Sequence, residues 1–268
     1  MSDLGYSDKS GFPKMGKEKL LILDIGNRFI KVYVTVGDEL GGRWQFSRAD
    51  LAWSGRLSTI ARQSGAEAAI VVSVVPETTE IALNVLAGEG LGVVNVNGEM
   101  ELPIKLEYGN LRKLGADRVA VAVGAWNFYS DDAKKILVVD AGTAVTIDLI
   151  SNGVFRGGAI LPGIELMKRA LFQSTAQLGP ADDEIKPQFP GKGTGQCIAA
   201  GTVAAVCGAV IYLWERLVKS DINSLLLLTG GSAGYISGFL PLPHRIDDLL
   251  LVKGAIAIYD FAKAREKR

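Results

Sequence analysis

Two short stretches place an acid where an aliphatic strand turns. "LLILDIGNRFIKVYV", Leu20 to Val34, carries Asp24 and then Gly26 and Asn27 at a bend between two strand-like runs. "KILVVDAGTAVTIDLI", Lys135 to Ile150, repeats the plan with Asp140, Gly142 and Thr143. An aspartate at a strand end, with glycine beside it, lets the backbone turn sharply and a phosphate approach the amide N–H groups. The carboxylate itself repels phosphate. It can hold the cation that neutralises one, since Mg²⁺ takes carboxylate and water oxygens. A lone Asp-x-Gly turn is ordinary hairpin chemistry. Two copies in matching strand context, facing each other from two halves, would make a nucleotide clamp.

Two further stretches add chemistry. "LTGGSAG", Leu228 to Gly234, is a glycine turn after an apolar run, and Gly230 and Gly231 could cover an adenine or ribose. It lacks the G-K-[ST] ending of a P-loop and reads equally well as a packing turn. "LGADR", Leu114 to Arg118, puts Asp117 and Arg118 at the start of an apolar helix. The helix dipole favours an acid there, so capping alone would account for Asp117. Arg118 is disfavoured at that end unless it meets an anion. An aspartate that takes a hydroxyl proton, beside an arginine that stabilises phosphoryl charge, is what a small-molecule kinase needs.

The elements that must position these residues follow from periodicity. Residues 20–36 read as two strands joined at "DIGNR". "AAIVVSVV" from Ala68 is a strand buried on both faces, and Pro76 ends it and opens a helix to Gly88. "GVVNVN" is a short strand, and an Ala/Val-rich helix starts near Gly115. The pattern then restarts: a hairpin over 136–150, "GVFRGGAILPG", a helix from Ile164 to about Thr175, and a Pro/Gly-rich loop over roughly 179–195. A small-residue helix follows, then a strand, the glycine turn and a basic last helix. Repeated hairpins followed by alternating strands and helices predict two α/β domains of related plan. The expected division is a disordered extension over 1–18, then domains over 19–133 and 134–268.

Composition excludes several classes. The chain has 268 residues, 48% hydrophobic and 22% charged, enough for a substantial core. Lys plus Arg equal Asp plus Glu at 29 each, which argues against a nucleic-acid partner. Two cysteines and one histidine exclude a structural zinc site and suit a reducing, cytoplasmic setting. The first sixteen residues have no apolar core of a signal peptide. Cys197 to Trp214 carries no charge, but its Ala/Gly/Val content reads as a buried helix in which Gly201 and Gly208 allow close packing. Cys197 and Cys207 read as core residues, His244 as a loop residue, and the Asp-Asp pairs at 131–132, 182–183 and 247–248 as solvated turns.

In order and spacing, "DIGN", "Y-x-N…LGADR", "DAGTAVTID", "GGAILPG" and "TGG" resemble the type III pantothenate kinases of the acetate kinase/sugar kinase/Hsp70/actin superfamily. The resemblance runs from about Lys19 to the end. It implies two ribonuclease-H-like domains of duplicated plan, the actin-like ATPase fold, and ATP-dependent phosphorylation of pantothenate at the head of coenzyme A synthesis. Carried over by position, Asp24 would hold Mg²⁺ with the ATP phosphates, with Gly26, Asn27 and Lys31 in the same nucleotide stretch. Asp117 would be the general base on the pantothenate hydroxyl, with Arg118 beside it. Tyr108, Gly115, Ala116 and Thr194 would line the pantothenate pocket. Asp140 would ligate K⁺ or NH₄⁺, Gly142, Thr143 and Thr146 would form the second phosphate loop, and Gly230 and Gly231 would meet the nucleotide. The resemblance also implies a homodimer, with no membrane or nucleic-acid partner and with helix 196–214 near the subunit contact. Three positions depart from the family pattern: Arg28 where Thr or Ser is usual, Gly193 where Asn is commoner, and Leu111 where Pro is usual. They motivate a rival expectation, a weakly active or non-catalytic binding relative, beside that of another small-molecule kinase of the superfamily.

Overall fold

A computed structural model describes residues 18–37, 39–174, 186–218 and 222–266. In chain order the elements are β1 (Lys19–Ile25), β2 (Phe29–Val36), β3 (Glu39–Ser47), α1 (Trp53–Ser64), β4 (Ala68–Ser73), α2 (Pro76–Gly88), β5 (Gly92–Asn95), β6 (Lys105–Leu106) and α3 (Ala116–Tyr129). Then come β7 (Lys135–Ala141), β8 (Ala144–Ser151), β9 (Val154–Pro162), α4 (Ile164–Ser174), α5 (Thr194–Leu213), β10 (Ser224–Thr229), α6 (Ala233–Ser237), β11 (Arg245–Ile246) and α7 (Leu250–Glu266). The chain forms two compact units. Of the described residues, the first contains those within 18–103, 111–124 and 251–266, and the second those within 104–110 and 125–250.

Each unit is built on one sheet. The first sheet runs β3-β2-β1-β4-β5, and the second β11-β10-β7-β8-β9-β6. Apart from β6, the two sheets follow the same path, with β1 to β5 matched by β7 to β11. In each, three antiparallel strands are followed by two that join in parallel. The central strands β1 and β7 even share their burial pattern: four successive buried residues, a half-buried aspartate, and a buried last residue. Strands flanked on both sides and covered on both faces need such unbroken apolar runs. The duplicated plan expected from the two bends is therefore present in backbone and in burial.

The first core gathers Leu21, Leu23, Ile30 and Val32 of the hairpin with Leu57 of α1, Val71 of β4 and Leu86 of α2. The second gathers Leu137, Val139 and Ile147 with Val203, Val206 and Val210 of α5 and Leu226 and Leu228 of β10. Pro76 opens α2 at its first turn, where a missing N–H costs nothing. Gly65 ends α1 in the left-handed conformation.

Several expectations change in detail. The reading of two consecutive domains separates the sheets except for β6, whereas α7 belongs to the first unit. A Cβ on Gly254 would lie 1.8 Å from the Ala120 carbonyl oxygen, so α7 meets α3 backbone to backbone. Glu18, expected in the disordered extension, instead accepts a hydrogen bond from Tyr259 at 2.9 Å and pairs with Lys263 of α7. The rest of that extension, part of the Pro/Gly-rich loop and the pair 182–183 lie outside the described residues. Asp247 is not solvated: it is buried and accepts the Tyr129 hydroxyl at 2.9 Å. Burial, then the charge of Asp247, pushes that phenol well above its usual range.

Helix α5, continued by a π turn over Trp214–Val218, is long and apolar enough to cross a membrane by length and composition alone. One face, including Val203, Val206, Cys207 and Val210, enters the second core. Gly201 and Gly208 do not pack closely as expected; both are exposed, and a Cβ at either would meet open space. Cys207 is buried, whereas Cys197, expected in the core, is exposed.

Candidate active site

In the first unit, Asp24 stands directly opposite Lys31 in the β1–β2 ladder, and the Lys31 ammonium lies 2.9 Å from its carboxylate. Beyond them the chain turns through Gly26, Asn27 and Arg28, with the Gly26 N–H donating to the Phe29 carbonyl at 3.0 Å. Arg48, just past β3, braces this bend: its Nε donates to the Asn27 carbonyl and its backbone N–H to that of Arg28, both at 2.9 Å. The Arg28 guanidinium lies over the Phe29 ring, 5.4 Å from its centroid. A cavity of about 520 Å³ opens beside these residues. Gly26 does not adopt the left-handed backbone, and a Cβ there would make only an ordinary contact, 3.5 Å from the Phe29 oxygen. Its use is to leave the bend open, not to supply an unusual φ.

Asp117 opens α3. Its Oδ1 accepts the Arg118 backbone N–H at 2.7 Å, while the first turn closes from the Val119 N–H to the Gly115 carbonyl at 3.1 Å. Both halves of the capping expectation hold, since an acid in this turn meets the helix dipole and one of its unpaired donors. Arg118 is 7% exposed, a buried guanidinium in the same turn. Gly115 and Ala116 line a cavity of about 760 Å³ at the carboxyl ends of β4 and β5, together with Ser73, Thr79, Asn95 and Asn97. Val74 joins this region to the Asp24 bend. Its N–H donates to the Ile25 carbonyl at 3.2 Å, and its Cγ1 lies 3.6 Å from where a Gly115 Cβ would be. Two of the expected groups, the bend and the start of α3, are therefore brought to one neighbourhood within this unit.

In the second unit, Asp140 lies between Thr146 on one neighbouring strand and Thr229 on the other. Register neighbours project from the same face of a sheet, so Asp140 is flanked by two threonine side chains. The corresponding neighbours of Asp24 are Lys31 and Val72, a cation and an aliphatic side chain. The second bend is also one residue shorter, with only Gly142 and Thr143 between its strands. It is clamped from two sides. The Gly163 N–H donates to the Thr143 carbonyl at 2.9 Å, and a Cβ on Gly163 would lie 2.4 Å from the Gly142 oxygen. The Ser232 N–H donates to the Ala141 carbonyl at 2.9 Å. Gly230, at φ 90°, sits where a Cβ would come within 2.3 Å of the Asp140 carboxylate and 2.8 Å of the Ala141 backbone.

Gly230 and Gly231, neighbours in one turn, should therefore behave differently. Gly230→Ala is expected to cost about 1–3 kcal/mol, from the left-handed backbone and the clash with Ala141. Gly231→Ala, with nothing within 4 Å of a Cβ, should melt close to the parent. Paired thermal melts check this, and equal losses would contradict the clamp.

Tyr108 and Thr194 lie elsewhere in the second unit. Tyr108 packs on Phe155, 6.1 Å between ring centroids, and on Gly157. Thr194 opens α5 beside Cys197, on an apolar cavity of about 770 Å³ shared with α4. Gly193 caps α5 in extended conformation without a side-chain bond, and Gln196 accepts the Lys192 N–H at 2.9 Å. Among the described residues no three of His, Cys, Asp or Glu form a metal cluster. The donor sets still fit their expected cations. A single carboxylate suits Mg²⁺ that keeps waters and phosphate oxygens, and a carboxylate between threonines suits a monovalent ion. Sequence reading missed Gly163 and Arg48. The proline-glycine pair ending "GGAILPG" was the signal for the first; the second has none without the β2–β3 pairing.

A sequence profile of the type III pantothenate kinases matches residues 20–216. The chain belongs to the type III pantothenate kinase family. A curated member from Moorella thermoacetica is 30% identical over 256 residues, covering 90% of this chain and 98% of that one. The profile match takes in both acidic bends, the start of α3 and Thr194, and stops short of the Gly230 turn. Among solved structures, a Campylobacter jejuni protein ascribed to the Baf family of transcriptional activators superposes with a TM-score of 0.58 at 23% identity, over 91% of this chain and 99% of that chain. MreB5 of Spiroplasma citri bound to ADP gives 0.52 at 14% identity, over 94% and 99%. At these identities the likeness establishes the fold, the actin-like ATPase architecture that the family resemblance implied.

Proposed function

We propose that the chain transfers the γ-phosphoryl group of ATP to the primary hydroxyl of pantothenate, giving 4′-phosphopantothenate, the first step towards coenzyme A. The observation that carries this reading is the start of α3. There a carboxylate on a helix N-terminus, a buried arginine and the edge of a large cavity adjoin, through Val74, the shoulder of an acidic bend.

Asp117 orients the pantothenate hydroxyl and takes its proton. That alcohol is far too weak an acid to ionise beforehand, so the proton moves late, as bonding to phosphorus develops. Arg118 stabilises charge on the substrate or on the transferring group. Gly115, Ala116, Tyr108 and Thr194 contribute to the pantothenate pocket. Asp24 holds Mg²⁺, and bound Mg²⁺ supplies neutralisation of the phosphate oxygens. Lys31, now on Asp24, is then available to phosphate, as is the amide at Asn27, while Gly26, its own N–H on the Phe29 carbonyl, keeps the bend open for the phosphates. Asp140, with Thr146 and Thr229, holds K⁺ or NH₄⁺, while Gly142 and Thr143 offer phosphate contacts and Gly230 and Gly231 meet the nucleotide. The enzyme works in the cytoplasm as a homodimer, with the exposed small-residue face of α5 near the contact and without membrane or nucleic acid.

The test is pantothenate-dependent ADP release by purified protein with ATP and Mg²⁺, first in K⁺ and then in Na⁺. Turnover in K⁺ that falls at least about tenfold in Na⁺ supports both the kinase and the Asp140 site. ATP binding without product would favour the non-catalytic relative that Arg28 motivates. Release with another acceptor and none with pantothenate would favour a different kinase of the superfamily.

A further inference from the structure

We infer that Gly115 is a positioning residue for Asp117: its missing side chain is what lets the Asp117 carboxylate fold back onto the first turn of α3. The inference rests on the reading of Asp117 as general base. It assigns Gly115 a task distinct from lining a substrate pocket.

The geometry is specific. A Cβ built on Gly115 would lie 2.4 Å from Asp117 Oδ1 and 3.5 Å from its Cγ, while the next atom, Val74 Cγ1, is at an ordinary 3.6 Å. The one severe conflict is with the tip of a rotatable side chain. Gly115 does not occupy the left-handed region, so the backbone accepts alanine without strain. A methyl group here therefore has an inexpensive escape, rotation of the Asp117 side chain. That rotation breaks the 2.7 Å bond from the Arg118 N–H, a contact that holds the carboxylate against the helix start. Stability and activity should consequently part company. The fold loses a partly buried hydrogen bond at the helix start and gains alanine's smaller backbone entropy cost, while the base is moved by about the width of an oxygen atom. A displacement of about 1 Å at a reacting centre can cost as much as 10²-fold in rate.

The experiment compares the parent with Gly115→Ala, Asp117→Ala and the double variant, each by thermal melting and by kcat and KM for pantothenate and for Mg–ATP. Gly115→Ala is expected to melt within a few degrees of the parent and to lose about 10- to 100-fold in kcat, with both KM values changed little. In the Asp117→Ala background the same methyl has no carboxylate to displace, so the residual rate should not fall further. Parental kcat with a raised KM for pantothenate would make Gly115 a pocket wall only and overturn the inference. So would a further loss of rate in the double variant. If Gly115→Ala melts early, recovery in the double variant supports the same conflict, and no recovery refutes it. Near-normal kcat in Asp117→Ala alone would remove the base itself, an outcome separable from a failure at Gly115.

Discussion

Asp117→Asn should fold like the parent, bind ATP and lose about 10²- to 10⁴-fold in kcat, the usual contribution of a positioned general base. The amide oxygen can still accept the Arg118 N–H, so the first turn of α3 keeps its cap. What the amide cannot do is take a proton. If Asp117 served only the helix, as its backbone bond alone would allow, the asparagine variant would turn over normally. Steady-state kinetics with a parallel ATP-binding titration separate the two cases, and near-normal kcat would remove Asp117 from the reaction.

The second large effect is expected at Asp24. Asp24→Asn preserves shape and leaves the Lys31 ammonium an oxygen to donate to, but it deletes the carboxylate charge that we propose holds Mg²⁺. The Lys31–Asp24 pair is partly exposed, with side-chain exposures of 30% and 14%, so its loss should cost no more than about 1 kcal/mol. The kcat/KM for Mg–ATP should instead fall by about 10²-fold or more, since charge stabilisation at a phosphoryl centre outweighs a partly exposed ion pair. A variant that melts several degrees lower yet keeps its kcat/KM for Mg–ATP would make the pair purely structural.

Much of the architecture is legible in the residues because two physical signals coincide. Central strands need unbroken aliphatic runs, and an aspartate that ends such a run twice is conspicuous; β1 and β7 carry identical burial as a result. Pro76 and Gly88 likewise bound α2 where the pattern places them. β3 escaped notice because it is an edge strand, mostly exposed, whose Gly42 is covered by the Trp44 ring from the same strand. Its "ELGGRWQFS" alternates Leu40, Trp44 and Phe46 with polar residues, but Gly41 and Gly42 interrupt the pattern and only Phe46 is buried. α1, by contrast, does carry a signal: Trp53, Leu57, Ile60 and Ala61, its buried residues, fall at i, i+4, i+7 and i+8.

At the site, chemistry was legible and geometry was not. Asp24, Asp117 and Asp140 stand out by type and context. The difference between the two bends, a lysine opposite one aspartate and a threonine opposite the other, becomes visible only with strand register. Gly163 and Gly230 matter because distant backbone presses on the Asp140 bend, and long-range contact has no local signature. The same holds for Asp247, which looked like half of a solvated turn until Tyr129 was found against it.

The most direct measurement is the formation of labelled 4′-phosphopantothenate from γ-labelled ATP by purified protein with Mg²⁺, K⁺ and pantothenate. The account predicts label on pantothenate, stoichiometric with ADP, and its near-absence with Asp117→Asn. ATP bound at the same concentration with no label transferred, or equal transfer by the asparagine variant, would contradict it.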